Sequence, residues 1–308
     1  WEAMDYCIQT QGLSKHFKGV TALKSVNMNV KLGEIYGFLG PNGAGKSTVF
    51  KLLMALLKPD AGKIMRQAET LSQGLNGFFR QTGSIIENPY FYEDLSGYEN
   101  LKIHARYMGY YVENDAQTKI KDILRLVHLS DTEKKPVRAY SLGMKQRLAM
   151  ARALLCDPKL LILDEPFNGL DPEGLAKMRQ LLLDLNQRQR TTIIISSHLL
   201  SEISAIADTI GVLKQGVLIQ EIAMEKVRQK ERQCIEIKVS NPNRASCVLE
   251  EKLNIHEFDL VSNHKILIYD TEIDRALLIK TLVMNDVGIK SAFLKEGSLE
   301  DYFLKLTR

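Results

Sequence analysis

The residues best suited to chemistry form one run, Gly40-Pro41-Asn42-Gly43-Ala44-Gly45-Lys46-Ser47-Thr48. It fits the spacing G-x-x-x-x-G-K-[ST]. Glycines at these places let the backbone fold tightly and turn successive N–H groups inward, where they cradle phosphate oxygens. A lysine placed as Lys46 is reaches the β- and γ-phosphates, and a hydroxyl placed as that of Ser47 ligates Mg²⁺. The chemistry expected here is the binding of a nucleoside triphosphate.

A second run, Leu160-Leu161-Ile162-Leu163-Asp164-Glu165-Pro166, sets two acids at the end of four aliphatic residues. Acids at the C-terminal end of a buried parallel strand lie in the crevice where such sheets take their ligands. Asp164 is there to hold Mg²⁺, directly or through water, and Glu165 to polarise a water against the γ-phosphate. Without the phosphate loop, two solvated acids at a strand end would be an equal reading. A third run, Tyr140-Ser141-Leu142-Gly143-Met144-Lys145-Gln146-Arg147, offers a hydroxyl and free N–H groups at a helix start. That is either a second anion site or an ordinary serine cap.

Elements that position these groups follow from the apolar pattern. Residues 35–39 read as the strand feeding the phosphate loop, and residues 49–57 as the helix leaving it. The loop therefore opens a helix whose partial positive end favours the same anion. Residues 7–10 and 26–30 read as strands, with Pro59-Asp60-Ala61-Gly62 as a turn after the first helix. Helical spacing recurs over 100–108, 116–129 and 145–156, which makes a mostly helical insertion at about 88–157. Residues 160–163 and 191–196 read as strands buried on both faces, 175–185 and 201–207 as helices, and 210–219 as a hairpin around Lys214-Gln215-Gly216.

The pattern changes after Glu221. Strands at 235–239, 266–268 and 290–294 alternate with helices at 245–253 and 272–284. Ser298-Leu299-Glu300-Asp301 reads as a capped start to a last helix, and 224–233 as a charged link. The expected organisation is a nucleotide-binding domain over 1–225 and a small α+β accessory domain over 226–308. Trp1-Glu2-Ala3 reads as a remnant ahead of a start at Met4.

Composition sets the outer limits. With 308 residues, 45% hydrophobic and 25% charged, the chain has ample material for a core. A net charge of +4, from 41 basic and 37 acidic residues, gives no argument for a nucleic-acid partner. Four scattered cysteines, Cys7, Cys156, Cys234 and Cys247, form no C-x-x-C pair and read as reduced thiols. Aliphatic runs such as Ile193-Ile194-Ile195 fall far short of the ~20 residues a bilayer span requires, so a membrane role must pass through a partner.

Taken in order, the pieces resemble an ATP-binding cassette (ABC) transporter ATPase subunit over about residues 6–225. The run from Gly40 to Thr48 resembles its Walker A motif, Ser141-Leu142-Gly143-Met144 its signature, and 160–166 its Walker B with the catalytic acid. Gly169-Leu170-Asp171 is similar to the loop that communicates across the dimer, and His198 after Ser196-Ser197 to the switch histidine. Phe17 in Lys15-His16-Phe17 falls where the family stacks an aromatic ring on adenine; a core phenylalanine is the equal alternative. The resemblance implies an α/β P-loop NTPase fold of ABC type, with a mixed-sheet core and a helical insertion. It implies ATP and Mg²⁺ as ligands, Glu165 and His198 as catalytic residues, and Ser141 and Gly143 closing on ATP held by a second subunit. Integral membrane permease subunits are the implied partners, with the chain peripheral on the cytoplasmic face of the membrane.

Two departures stand out. Glu87, in Thr82-Gly83-Ser84-Ile85-Ile86-Glu87-Asn88-Pro89, takes the place where the family usually has glutamine, and Gln81 falls too early. A carboxylate accepts or ligates Mg²⁺ but cannot donate as an amide does. In the signature, Leu142 and Met144 replace the usual glycine and glutamine, whereas Ser141 and Gly143 remain. Glu87, together with the segment from Phe91 to Leu101 and the terminal Ser298-Leu299-Glu300-Asp301-Tyr302-Phe303, resembles ATPases of bacitracin-resistance and lantibiotic-immunity exporters. One phosphate loop and one signature per chain imply that two chains, head to tail, complete a site. The rival readings are a soluble ABC-type ATPase acting on ribosomes or nucleic acid and a small-molecule kinase. The former class usually carries two cassettes or a long coiled-coil insertion, and the latter has no use for Ser141-Leu142-Gly143.

Overall fold

A computed structural model of the chain describes residues 6–66, 69–70, 75–87, 89–109, 113–132, 134–230, 234–262, 264–270, 272–295 and 303. It divides into two compact units, Trp1–Met224 and Glu225–Arg308.

The first unit is built on a six-stranded mixed sheet ordered β11-β10-β4-β9-β8-β7. Its members are β4 (Ile35–Leu39), β7 (Thr82–Ile85), β8 (Leu160–Asp164), β9 (Thr192–Ser196), β10 (Thr209–Lys214) and β11 (Val217–Ala223). Every pairing from β10 to β7 is parallel, and only β11 runs antiparallel. All residues of β4, β8 and β9 are buried, as unbroken aliphatic runs require when a parallel sheet is covered on both faces. Their C-terminal ends share one edge: Phe38 and Asp164 each pair with Ser196.

A second sheet of this unit is antiparallel. In it β1 (Tyr6–Phe17) pairs with β2 (Val20–Val26), β3 (Asn29–Lys31) and β5 (Ala61–Arg66), and β5 with β6 (Glu69–Thr70). The helices are α1 (Lys46–Leu53), α2 (Leu75–Arg80), α3 (Gly97–Tyr107), α4 (Glu113–Leu126), α5 (Leu142–Leu154), α6 (Pro172–Gln189) and α7 (Leu200–Ile206). Helices α3, α4 and α5 all fall between β7 and β8 in sequence.

Several expected boundaries move. The strand expected at 26–30 is two strands, because the chain breaks at Asn27 and Met28, where Asn27 Oδ1 accepts from the Gly12 N–H at 2.7 Å. The helix expected to reach residue 57 stops at Leu53, since Ala55 takes a left-handed φ of 52°. Asp60 and its neighbours do not simply turn the chain: β5 begins at Ala61. Helix α3 starts three residues early, because Ser96 and Glu99 form a capping box with the Ser96 side chain accepting from the Glu99 N–H.

The second unit holds α8 (Met224–Lys230) from Glu225 onward, β12 (Cys234–Val239), α9 (Pro242–Leu253), β13 (Phe258–Ser262), β14 (Lys265–Ile268), α10 (Arg275–Met284) and β15 (Ile289–Lys295). Its four strands make an antiparallel sheet ordered β13-β14-β12-β15. Ile235, Ile237, Ile266 and Ile268 on one sheet face pack with Val248, Leu249, Leu278 and Leu282 of the two helices. Residues 224–230 of the expected link form the helix α8, and α10 begins at Arg275, capped by Asp274, later than the residue 272 expected. The helix expected to open at Ser298 lies outside the described residues.

Candidate active site

Strand β4 ends at Leu39 and the chain turns through residues 40–45 into α1. The turn needs glycine twice: φ is +79° at Gly43 and +109° at Gly45, the N-cap of α1. The first turn of α1 carries no acid, so its positive end is left for a ligand. Lys46 is only 7% exposed, and its Nζ donates to the carbonyls of Gly40 at 2.6 Å and Pro41 at 3.3 Å. Burial pushes the Lys46 pKa down, and the nearby Glu165 and Asp164 carboxylates oppose that shift.

The carboxylates stand across from the loop at the end of β8. Asp164 is 7% exposed, and its Oδ1 accepts from the Ser196 hydroxyl at 2.6 Å. Glu165 takes a left-handed φ of 50°, uncommon for a side-chain-bearing residue and frequent at functional sites. Its N–H donates to Ser196 Oγ at 3.0 Å. Its Oε2 accepts from the His198 N–H at 3.1 Å and lies 2.7 Å from His198 Nδ1.

These groups line one open cleft of about 570 Å³. Asn42, Gly43, Ala44, Gly45, Lys46, Ser47 and Thr48 form one wall, and Asp164, Glu165 and Glu87 are part of the rest. Gly40 and Pro41 contribute through the carbonyls that hold Lys46, and His198 joins through Glu165. Glu87 lies two residues past β7, with φ of 59°, and its carboxylate pairs with Lys51 of α1. The donors expected for Mg²⁺ fit that ion in kind: a hydroxyl and carboxylates, hard oxygens, facing the space where triphosphate oxygens would complete the set.

Other expected residues lie apart. Among the described residues Ser141, Gly143 and Phe17 do not line this cleft. Ser141 is exposed and caps α5 by accepting from the Met144 N–H at 3.2 Å. A Cβ on Gly143 would lie 3.0 Å from the Gly169 carbonyl oxygen, which packs the signature turn on the Gly169-Leu170-Asp171 turn. Asp171 caps α6 by accepting from the Gly174 N–H at 3.0 Å. Phe17, at the end of β1, is 44% exposed with Lys15 Nζ 5.6 Å from its ring centre, so the core alternative does not hold. Gln81 stands before β7, its side chain near Arg66, away from the cleft.

Sequence reasoning did not single out Ala22, Tyr90 and Asn168, and it named Gln146 only as part of the run around Ser141; all four also line the cleft. Ser196 figures in the sequence only as the end of the strand at 191–196 and the first residue of Ser196-Ser197-His198. The available signal was a polar residue closing an aliphatic run at the level of Asp164.

Comparison with known proteins decides the class. Residues 23–168 match the sequence profile described as ABC transporter. An uncharacterised ABC transporter ATP-binding protein of Bacillus subtilis is 47% identical over 98% of this chain and 97% of its own length. The chain belongs to the ABC transporter ATP-binding protein family. The bacitracin transport ATP-binding protein of Bacillus licheniformis is 40% identical over 98% of each chain. A lantibiotic transport ATP-binding protein of Streptococcus pyogenes is 42% identical over 70% of this chain and 90% of its own. Among solved structures, a dimeric ATP-binding cassette in a post-hydrolysis state, bound to ADP and Pi, superposes with a TM-score of 0.66 at 25% identity, covering 70% of this chain and 98% of that one. As a member of this family the chain is an ATP-binding and ATP-hydrolysing subunit of an ABC transporter, and the ribosome or nucleic-acid reading is set aside. No helix among the described residues is long and apolar enough to cross a membrane.

Proposed function

We propose that the chain powers export of an antimicrobial peptide or a related drug through separate integral membrane permease subunits, working as a head-to-tail pair on the cytoplasmic face of the membrane. The observation that carries the two-chain reading is the split of the site. The cleft gathers the phosphate loop, Asp164 and Glu165, whereas Ser141 and Gly143 lie outside it on an exposed helix start. ATP held at Gly40 to Thr48 of one copy would be closed over by Ser141 and Gly143 of the other, with Phe17 under the adenine.

Within one copy, Lys46 exchanges the loop carbonyls for the β- and γ-phosphates. Ser47, Asp164 and Glu87 are the residues that would hold Mg²⁺, which supplies charge neutralisation at the β- and γ-oxygens. Glu165 takes the proton of the attacking water, and His198, bonded to that carboxylate, registers the γ-phosphate. The cargo class is supported by the transport functions in the names of the bacitracin and lantibiotic relatives. The accessory unit is read as a dimer-stabilising appendage. The test of the chemistry is Glu165→Gln: ATP binding stays and hydrolysis falls by about two or more orders of magnitude, the contribution of a positioned base. Wild-type hydrolysis by this variant would show that Glu165 is not the base.

A further inference from the structure

Ser196 closes the central strand of the sheet, between the strand that feeds the phosphate loop and the strand that delivers the two acids. It is fully buried. A serine hydroxyl has one proton to give and lone pairs to accept with. Here both capacities are spent on neighbouring residues of the site: the proton goes to Asp164 Oδ1 at 2.6 Å, and the oxygen accepts the Glu165 N–H at 3.0 Å. The first distance is that of a charge-assisted O–H···O⁻ bond. One carboxylate oxygen of Asp164, a residue that lines the cleft, is thereby fixed. At the same time the amide of Glu165 is held while its backbone sits at a φ of 50°, a conformation that persists only when its surroundings over-determine it.

Resting on the site reading above, we infer that Ser196 is a positioning residue for ATP hydrolysis: its single hydroxyl sets the metal-side carboxylate and the backbone of the general base relative to each other. It touches neither nucleotide nor water itself. Its removal leaves an oxygen of the buried Asp164 carboxylate and the half-buried Glu165 N–H without the hydroxyl that joins them. The phosphate loop keeps all its own bonds, so ATP binding is spared. Ser197, the next residue, bonds elsewhere, its hydroxyl accepting from the Leu199 N–H at 3.0 Å.

The experiment compares Ser196→Ala, Ser196→Thr and Glu165→Gln with wild type in the full chain. The readouts are kcat and KM for ATP, ATP affinity, and Mn²⁺ affinity by electron paramagnetic resonance with a non-hydrolysable ATP analogue. Ser196→Ala is expected to lower kcat about tenfold or more, the result of misplacing a catalytic group by a fraction of an ångström. KM and ATP affinity should stay within about threefold, Mn²⁺ binding should weaken, and Ser196→Thr, which keeps the hydroxyl, should recover most of kcat. Ser196→Cys, nearly isosteric but a weak donor, gives the same readout if the alanine variant does not fold. Wild-type kcat and Mn²⁺ affinity in Ser196→Ala or Ser196→Cys overturn the inference. So does a fall in kcat matched by an equal fall in ATP affinity, which marks a merely structural role. Full activity of Glu165→Gln would instead remove the site reading itself, so the two failures are separable.

Discussion

Replacing Gly45 by alanine tests the phosphate loop through two terms that the structure separates. The first is backbone strain: a φ of +109° is sparsely populated by any side-chain-bearing residue and costs about 1–3 kcal/mol. The second is space. A Cβ at Gly45 would lie 2.8 Å from the Ala22 carbonyl oxygen and 2.8 Å from Leu23 Cδ2, closer than real Cβ contacts. Leu23 is fully buried, and Ala22 belongs to β2, so neither yields freely. Overpacking of this kind adds about 1–3 kcal/mol. Gly43 is the built-in control, because its φ is +79° but a Cβ there meets nothing within 4 Å. Gly43→Ala therefore carries strain alone. The two variants should differ by about 1–3 kcal/mol in stability, or about 2–4 °C in Tm for each kcal/mol in a unit of this size. ATP affinity should follow, since loss of one charge-assisted bond from the loop amides is worth about tenfold or more. Thermal unfolding and titration with a fluorescent ATP analogue measure both. Equal stability and equal affinity in the two variants would refute the steric part of the reasoning.

Two further outcomes follow from the site. Ser141→Ala removes the cap of α5 and should cost about 1 kcal/mol of stability; kinetics should show hydrolysis falling while single-chain ATP affinity is kept, and parallel loss of both would contradict the placement of Ser141 outside its own chain's cleft. The Lys46 amine has its pKa lowered by burial in the nucleotide-free chain, whereas bound phosphates favour its charged form. Binding is then at full strength below the nucleotide-free pKa, and it weakens as pH rises through that value, at a midpoint below the ordinary lysine value of about 10.4. ATP affinity measured from pH 7 upward checks this, and no loss of affinity before that ordinary value would contradict it.

The parts of this structure legible from sequence are those where burial leaves no choice. Residues 160–163 and 193–195 can be aliphatic without interruption only because β8 and β9 are covered on both faces. Edge and surface strands gave no such signal. In β5 only Ile64 is buried, and its start at Ala61-Gly62 carries the chemistry of a turn, so it reads as one. Strand β13 has no buried residue, which leaves Phe258 to Ser262 without an alternating pattern. In the cleft, the loop and the acids announce themselves by spacing, because phosphate binding demands those residue types at those intervals. Ala22, Tyr90, Gln146 and Asn168 reach the same space from four separate stretches of chain, and only tertiary packing brings them there. Ser196 illustrates the limit best: its role is defined by two residues more than thirty positions away.

The central claim is that the ATP site of one chain is completed by another, and mixing two inactive variants tests it directly. Lys46→Ala disables the phosphate loop but leaves the signature, and Gly143→Asp leaves the loop but sets a carboxylate where the other copy's phosphates would rest. Each is expected to be inactive alone. Random pairing makes half of the dimers mixed, each with one intact loop facing one intact signature, so ATPase activity should return to about a quarter of wild type. If the mixture stays as inactive as its components, the site is not shared between chains and the account fails.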